Sequence, residues 1–385
     1  MGKQLRIWLF VLLSTLLTST SLLAEGVVTL TTTKAVGEKI ELGIEAKGNV
    51  TIEGIKGSAK TDGEKQFYTL TSQTVIIRGD VTTLDCSVSY YPSGPLGPLT
   101  SLDVSGCTSL TKLDCSSNKL TSLDVSGCTA LTVLDLFNNQ LTSLDLSGCA
   151  ALTEFRCYLN QLTSLEVSDC TALTELQCQN NQLTSLDVSG CTALTYLDFF
   201  NNQLTSLDVS KNPALIYLNC YHNQLTTLDV SGCTALTCLI CPINQLTSLN
   251  VSGCTALTAL DCHNNQLTSL DVSSCTNLES LECDNNQLTS LDVSSCSNLE
   301  ALACHYNQLT NLNISGCARL RTLYCYGNCI NGEAMSKLVN SLPDRKGMSR
   351  GTLFVVYYSS KKRDENRCSV ADVTTAQKKN WAVRQ

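Results

Sequence analysis

The chain has 385 residues, of which 43% are apolar and 16% charged, so it can bury a core and is not a disordered segment. Residues 99–330 hold 6 Lys/Arg against 20 Asp/Glu, a balance of -14, whereas residues 334–385 hold 11 against 4, a balance of +7. The acidic bulk would repel a phosphate backbone, which excludes nucleic acid as the expected partner. Cysteine is abundant, at 23 residues, and its spacing decides what it does.

In chain order, residues 1–24 read as a secretory signal. Lys3 and Arg6 precede the apolar stretch Ile7–Leu17, and Leu22-Leu-Ala24 offers small-residue cleavage before Glu25. The Ser/Thr run at 14–21 argues against an uncleaved membrane anchor, no second apolar run of spanning length occurs, and the mature chain is expected to be secreted or at a bacterial cell surface. Residues 25–80 alternate apolar and polar over Val27–Thr33, Lys39–Ile44, Asn49–Ile55, Gln66–Thr71 and Thr74–Arg78, with glycines between. This predicts a small β cap that shields the exposed edge of the first strands beyond residue 80.

Residues 81–330 are a repeat. Leu120-Thr-Ser-Leu-Asp-Val-Ser-Gly-Cys128 has relatives at 141, 162, 183, 204, 225, 246, 267, 288 and 309, each 21 residues on. The other half of each unit, Leu131-Thr-Val-Leu-Asp-Leu-Phe-Asn-Asn-Gln-Leu141, recurs from Leu110 to Leu320, giving eleven units of L-x-x-L-x-(C/L/F)-x-x-N-x-(L/I). A degenerate earlier unit at Val81, Leu84 and Cys86 is interrupted within Tyr90–Pro98, where three prolines forbid regular structure. Each unit puts Leu, Leu and Cys on one side of a short strand. No single unit can bury that side, so stacking supplies the core. Asn118 and its equivalents every 21 residues to Asn328 sit where the chain leaves the strand, placed to satisfy turn backbone groups through a buried amide ladder. Twenty-one residues leave no room for a helix. The alternating Leu-Thr-Ser-Leu-Asp-Val-Ser half predicts a second strand, and hence a mainly β repeat solenoid with parallel sheets on two faces.

Twenty cysteines fall in two ladders, one through 86, 115 and 157 to 325 with Leu136 and Phe199 substituting, the other through 107, 128 and 149 to 317 with Asn212 standing in once. Stacked neighbours about 5 Å apart with parallel Cβ vectors are too far apart for a disulfide, so these read as buried reduced thiols acting as small hydrophobes. Ligands 21 residues apart with no buried His do not close a tetrahedral metal site, and neither a metal nor another cofactor is expected.

The L-x-x-L-x-(C/L/F)-x-x-N units of residues 81–330 resemble leucine-rich repeats, and their 21-residue length with a cysteine ladder resembles the cysteine-ladder internalins, bacterial surface proteins that bind host cells. The style of the units is also similar to leucine-rich surface proteins of the Bacteroidales. The resemblance implies an adhesin or host-interaction role. The chain departs from the Gram-positive internalins in carrying no LPxTG sorting signal.

Residues 331–385 predict an α/β cap: a helix over Glu333–Ser341 with Met335, Leu338, Val339 and Leu342 on one face, a strand over Gly351–Tyr358, and a helix over Val370–Asn380 before Trp381. Cys329 and Cys368 lie off the ladders and could pair in an oxidising compartment.

Candidate partner-binding residues are the outward-facing Phe137, Tyr158, Tyr196, Phe200, Tyr217, Tyr221, Tyr306, Tyr324 and Tyr326, together with His222, His263 and His305. Exposed aromatics on a rigid surface grip proteins or sugars, although they also stabilise a sheet by stacking across strands. The imidazoles lie at least two units apart, about 10 Å, too far to share one zinc. Asp103, Asp124, Asp145, Glu166, Asp187, Asp208, Asp229, Asp271 and Asp292 form an acidic column that either bonds to flanking hydroxyls or binds cations. No nucleophile elbow, phosphate loop or H-E-x-x-H is present, and Cys238 has no recognisable base, so no enzyme is expected. The expectation is a binding protein for a protein or glycan on a cell surface, with a structural envelope or biofilm-matrix protein that binds glycan or its own copies as the alternative.

Overall fold

A computed structural model describes residues 26–88, 96–356 and 364–384. The expected signal segment 1–24 lies outside the described residues, as do most of the Tyr90–Pro98 insertion and the Tyr357–Tyr358 end of the expected cap strand. No helix among the described residues is long and apolar enough to cross a membrane.

At the N-terminal end, β1 (Val27–Thr32) runs antiparallel between β4 (Thr74–Asp85) and β5 (Leu99–Asp103). β2 (Lys39–Glu53) pairs with β3 (Gln66–Thr69) and β4, so two of the expected strands, 39–44 and 49–55, are one long strand bent by register shifts at Glu45/Ala46 and Lys47/Thr51. β4 also starts the stack, because Thr83–Asp85 pairs in parallel with Lys112–Asp114 of the first unit. From there eleven three-residue strands, one per unit at 21-residue intervals from Lys112–Asp114 to Thr322–Tyr324, pair in parallel with each centre Leu or Phe facing the next. All eleven centre residues are buried, including Phe155 where the others have Leu.

The opposite sheet is fragmentary. Thr227–Asp229 pairs with Ser248–Asn250 and Ser290–Asp292 with Asn311–Asn313, while Asp124/Asp145 and Glu166/Asp187 make single bridges. In this column Asp103, Asp124, Asp145, Asp187, Asp208, Asp229, Asp271 and Asp292 each accept the N–H of a Ser two residues on, at 2.9–3.0 Å. The same Asx turn follows strands that do pair, at Asp229 and Asp292 here and at Asp114 in the main sheet, so it caps strand ends on both sides.

The Asn ladder carries the inner turns. Asn202 donates to the carbonyls of Cys178 (3.1 Å) and Phe199 (2.9 Å) and accepts the N–H of Leu183 (3.0 Å), and its equivalents repeat the pattern along the array. The residue before each Asn, from Ser117 to Tyr306, has φ between 50° and 57°, so every unit leaves its strand through one left-handed residue. Five of these ten are Asn, which tolerates that conformation, whereas Leu159, Ile243 and Tyr306 do not do so readily.

The twenty ladder cysteines are all buried, and none of them forms a disulfide. Several second-ladder thiols point at a backbone carbonyl of the preceding unit, as Cys128 does at Val104 (3.3 Å) and Cys191 at Val167 (3.2 Å). Burial raises the Cys107 thiol to about 11 and Cys128 to about 12, so these sulfurs stay protonated. Asn212 takes one rung, donating to Val188 and Cys191 while its Oδ1 is buried without a partner.

The C-terminal end is closed by α1 (Gly332–Ser341), which buries Met335, Leu338 and Val339, and by α2 (Val370–Lys378), which starts with a Ser369/Asp372 capping box. Gly351–Phe354 and Trp381–Arg384 extend the main sheet by two parallel strands. Buried Arg345 donates to the Leu320 carbonyl of the last unit, and Trp381 is fully buried with its indole N–H on Pro343.

Candidate binding face

In each short strand the middle Leu points inward, so the residues on either side and the one two further on point outward. Stacking turns these into three columns: Lys112 to Thr322, Asp114 to Tyr324, and Ser116 to Tyr326. The expected site residues distribute over them and over the left-handed column. Tyr196 and Tyr217 occupy the first column, Tyr324 the second, and Phe137, Tyr158, Phe200, Tyr221, His263, His305 and Tyr326 the third. His222 and Tyr306 are the left-handed residues of their turns, at φ 54° and 50°.

The aromatics gather into three groups. Phe137 and Tyr158 stack with centroids 4.7 Å apart and planes 1° from parallel. Tyr196 and Tyr217 stack at 4.4 Å, with Phe200 and Tyr221 tilted at 6.2 Å in the same two units. His305, Tyr306 and Tyr326 form the third group, with rings 4.5–5.4 Å apart, and Phe354 joins it at 4.6 Å from Tyr326. In the sequence Phe354 belongs only to the expected cap. The signal for its place here is the Gly351-Thr-Leu-Phe run, whose Leu353 falls opposite Leu323 as another repeat leucine would. Cross-strand stacking accounts for the pairing, yet the rings stay half-exposed and Tyr324 is exposed.

His263 stands apart from the rings, with its Nδ1 2.6 Å from Asp261 Oδ1. That hydrogen bond raises its pKa against the opposing effect of burial. His222 reaches Asn201 instead, at 2.8 Å. Cys238 continues the Tyr196–Tyr217 column, and burial pushes its thiol up, the opposite of what a reactive thiolate needs.

The face is also charged. Asp114 and Asp135 are register partners, so their carboxyls lie about one strand spacing apart. Burial raises Asp114 and takes Asp135 to about 7, with Asp114 adding to the rise at Asp135. Arg156 is only 3.8 Å from Asp135, but it is held closer by Glu175 (2.8 Å) and Glu154 (3.0 Å), so its relief of Asp135 is partial. Burial likewise takes Asp198 to about 6.

A family model described as leucine-rich repeats in two copies matches residues 108–148, 171–212 and 255–296. Comparison with curated protein sequences gives no match. Among solved structures, the functional domain of InlJ from Listeria monocytogenes, which includes a cysteine ladder, is similar with a TM-score of 0.58 and 29% identity, over 82% of this chain and 76% of that one. An internalin, InlF, from the same organism gives 0.60 at 21% identity over 79% and 86% of the two chains. A leucine-rich-repeat protein from Leptospira interrogans gives 0.53 at 22% over 72% and 79%. The last two likenesses speak to the fold alone. With its 21-residue units, its Asn ladder and its two ladders of buried cysteine, the chain has a leucine-rich-repeat solenoid fold similar to that of InlJ.

Proposed function

We propose that this protein is an exported, non-enzymatic binding scaffold that engages a protein partner on a cell surface through the outward strand columns, as an adhesin or host-interaction factor. The observation that carries the reading is the convergence of half-exposed rings into three groups on one continuous face of a rigid parallel sheet. Tyr and Phe held by their neighbours offer large contact area with little conformational entropy left to lose. The same columns carry eight carboxylates (Asp114, Asp135, Glu154, Glu175, Asp198, Asp261, Glu282, Asp284) against two cations, Lys112 and Arg156. A complementary partner therefore presents Lys or Arg among its contacts. Export rests on the 1–24 segment and on the likeness to InlJ.

The test is binding of purified residues 25–385 to intact epithelial cells and to bacterial cells, repeated with soluble sugars and at raised salt. Saturable binding to host cells that sugars leave unchanged and salt weakens supports the proposal. Binding lost to a soluble sugar, or confined to bacterial cells with concentration-dependent sedimentation of the protein alone, moves the assignment to an envelope or matrix role.

A further inference from the structure

We propose that Asp261, His263 and Glu282 bind one divalent transition-metal ion, of the kind that accepts mixed imidazole and carboxylate ligands, with zinc as the type. The site arises from the register. Strands Ala259–Asp261 and Ser280–Glu282 pair in parallel with Asp261 opposite Glu282, so two carboxylates leave the same side of the sheet in adjacent units. His263 lies two residues beyond Asp261, and its ring returns to the same side, 2.6 Å from Asp261 Oδ1. One ligand atom from each of the three residues lies within 4.8 Å of the others. Ligands about 2.0–2.2 Å from a zinc ion sit roughly 3–3.5 Å apart, which small side-chain rotations reach from here.

The surrounding charge asks for a cation. The ion pairs at this place are internal to the group, His263 with Asp261 and His305 with Asp284 at 3.4 Å, and among the described residues no Lys or Arg ion-pairs with Asp261, Glu282 or Asp284. Three carboxylates therefore share two imidazoles, and a dication would balance the excess. The acidic column on the opposite side makes the same turns to backbone N–H groups, as Asp261 does to His263, but it includes no nitrogen ligand. An imidazole donor selects a transition metal over calcium or magnesium. Three protein ligands leave a coordination position open to water or to a donor from outside the chain. The ladder thiols do not compete while the fold is intact, being buried and protonated. The inference stands on these residues alone and does not require the proposed partner.

The experiment is a calorimetric titration of the chelator-stripped, desalted full chain with zinc chloride at mildly alkaline pH, beside Asp261→Asn, His263→Gln and Glu282→Gln, with thermal melts of each. Wild type should take one zinc ion per chain and melt higher with it, and each variant should bind about 10- to 100-fold more weakly or worse. Glu282 is exposed, so its substitution keeps the test open should either of the others fold poorly. Cobalt in place of zinc should give no thiolate charge-transfer absorbance. No zinc binding by wild type, undiminished binding in the Glu282 variant, or a thiolate band from Cys238, Cys329 or Cys368 would overturn the assignment.

Discussion

Asn202→Ala tests how the array is held together. The amide makes three bonds shorter than 3.2 Å, two donated and one accepted. Removing it does not strand all three partners. The Cys178 carbonyl also accepts from Asn181, and the Phe199 carbonyl from Asn223, so each keeps one bond. The Leu183 N–H loses the partner that Asn202 gave it and is left buried. An orphaned buried N–H costs about 1–3 kcal/mol and each lost amide–carbonyl bond about 1 kcal/mol, so the expected loss is about 3–5 kcal/mol. Asn202→Asp should be worse than Ala at neutral pH, since it retains the acceptor but sets a carboxylate against two carbonyls. Urea unfolding followed by circular dichroism gives the total. Amide exchange at Leu183 gives the local part, which matters because a stacked array need not unfold in one step. A loss below about 1 kcal/mol, or an Asp variant more stable than the Ala variant, would refute the ladder as the source of that stability.

Other consequences can be checked on the same material. Ile243 holds a β-branched side chain at φ 50° and is 37% exposed, so Ile243→Asn should stabilise by about 1 kcal/mol in a denaturant titration, and destabilisation would contradict the strain argument. Asp135 has its folded pKa raised to about 7 by burial, so the folded chain binds the extra proton and this group's contribution to stability is lost as pH rises from about 4 through 7. Asp135→Asn should therefore gain about 2–4 kcal/mol over wild type at pH 8 and less than half of that at pH 5, and a difference independent of pH would show that the site is not a buried carboxyl. Native protein should be alkylated at no more than three thiols, Cys238, Cys329 and Cys368, with all 23 reacting after denaturation; rapid labelling of ladder cysteines in the native state would argue against the packed stack.

The repeat is legible because its signals are redundant: period, Leu spacing, Asn and Cys all recur at 21 residues and name the same core positions. The second sheet reads as continuous because its alternation is real, but alternation does not fix which units pair, and among the described residues two pairs of units form strands there. The aromatic groups are half visible. Period places Tyr196 beside Tyr217, whereas the joining of Phe354 to Tyr326 depends on a cap strand that enters the sheet out of period. The Asp261–His263–Glu282 group escapes a reading that measures imidazole to imidazole, since its ligands come from two neighbouring columns and the carboxylates there look like ordinary polar positions of a strand.

The claim that the outward rings are the contact surface is tested most directly by the triple change of Phe200, Tyr217 and Tyr221 to Ser. These rings sit in adjacent units and occupy no inward leucine position, so the variant should keep its circular dichroism spectrum and a cooperative melt while losing saturable binding to host cells. Binding equal to wild type by a variant so folded would contradict the account.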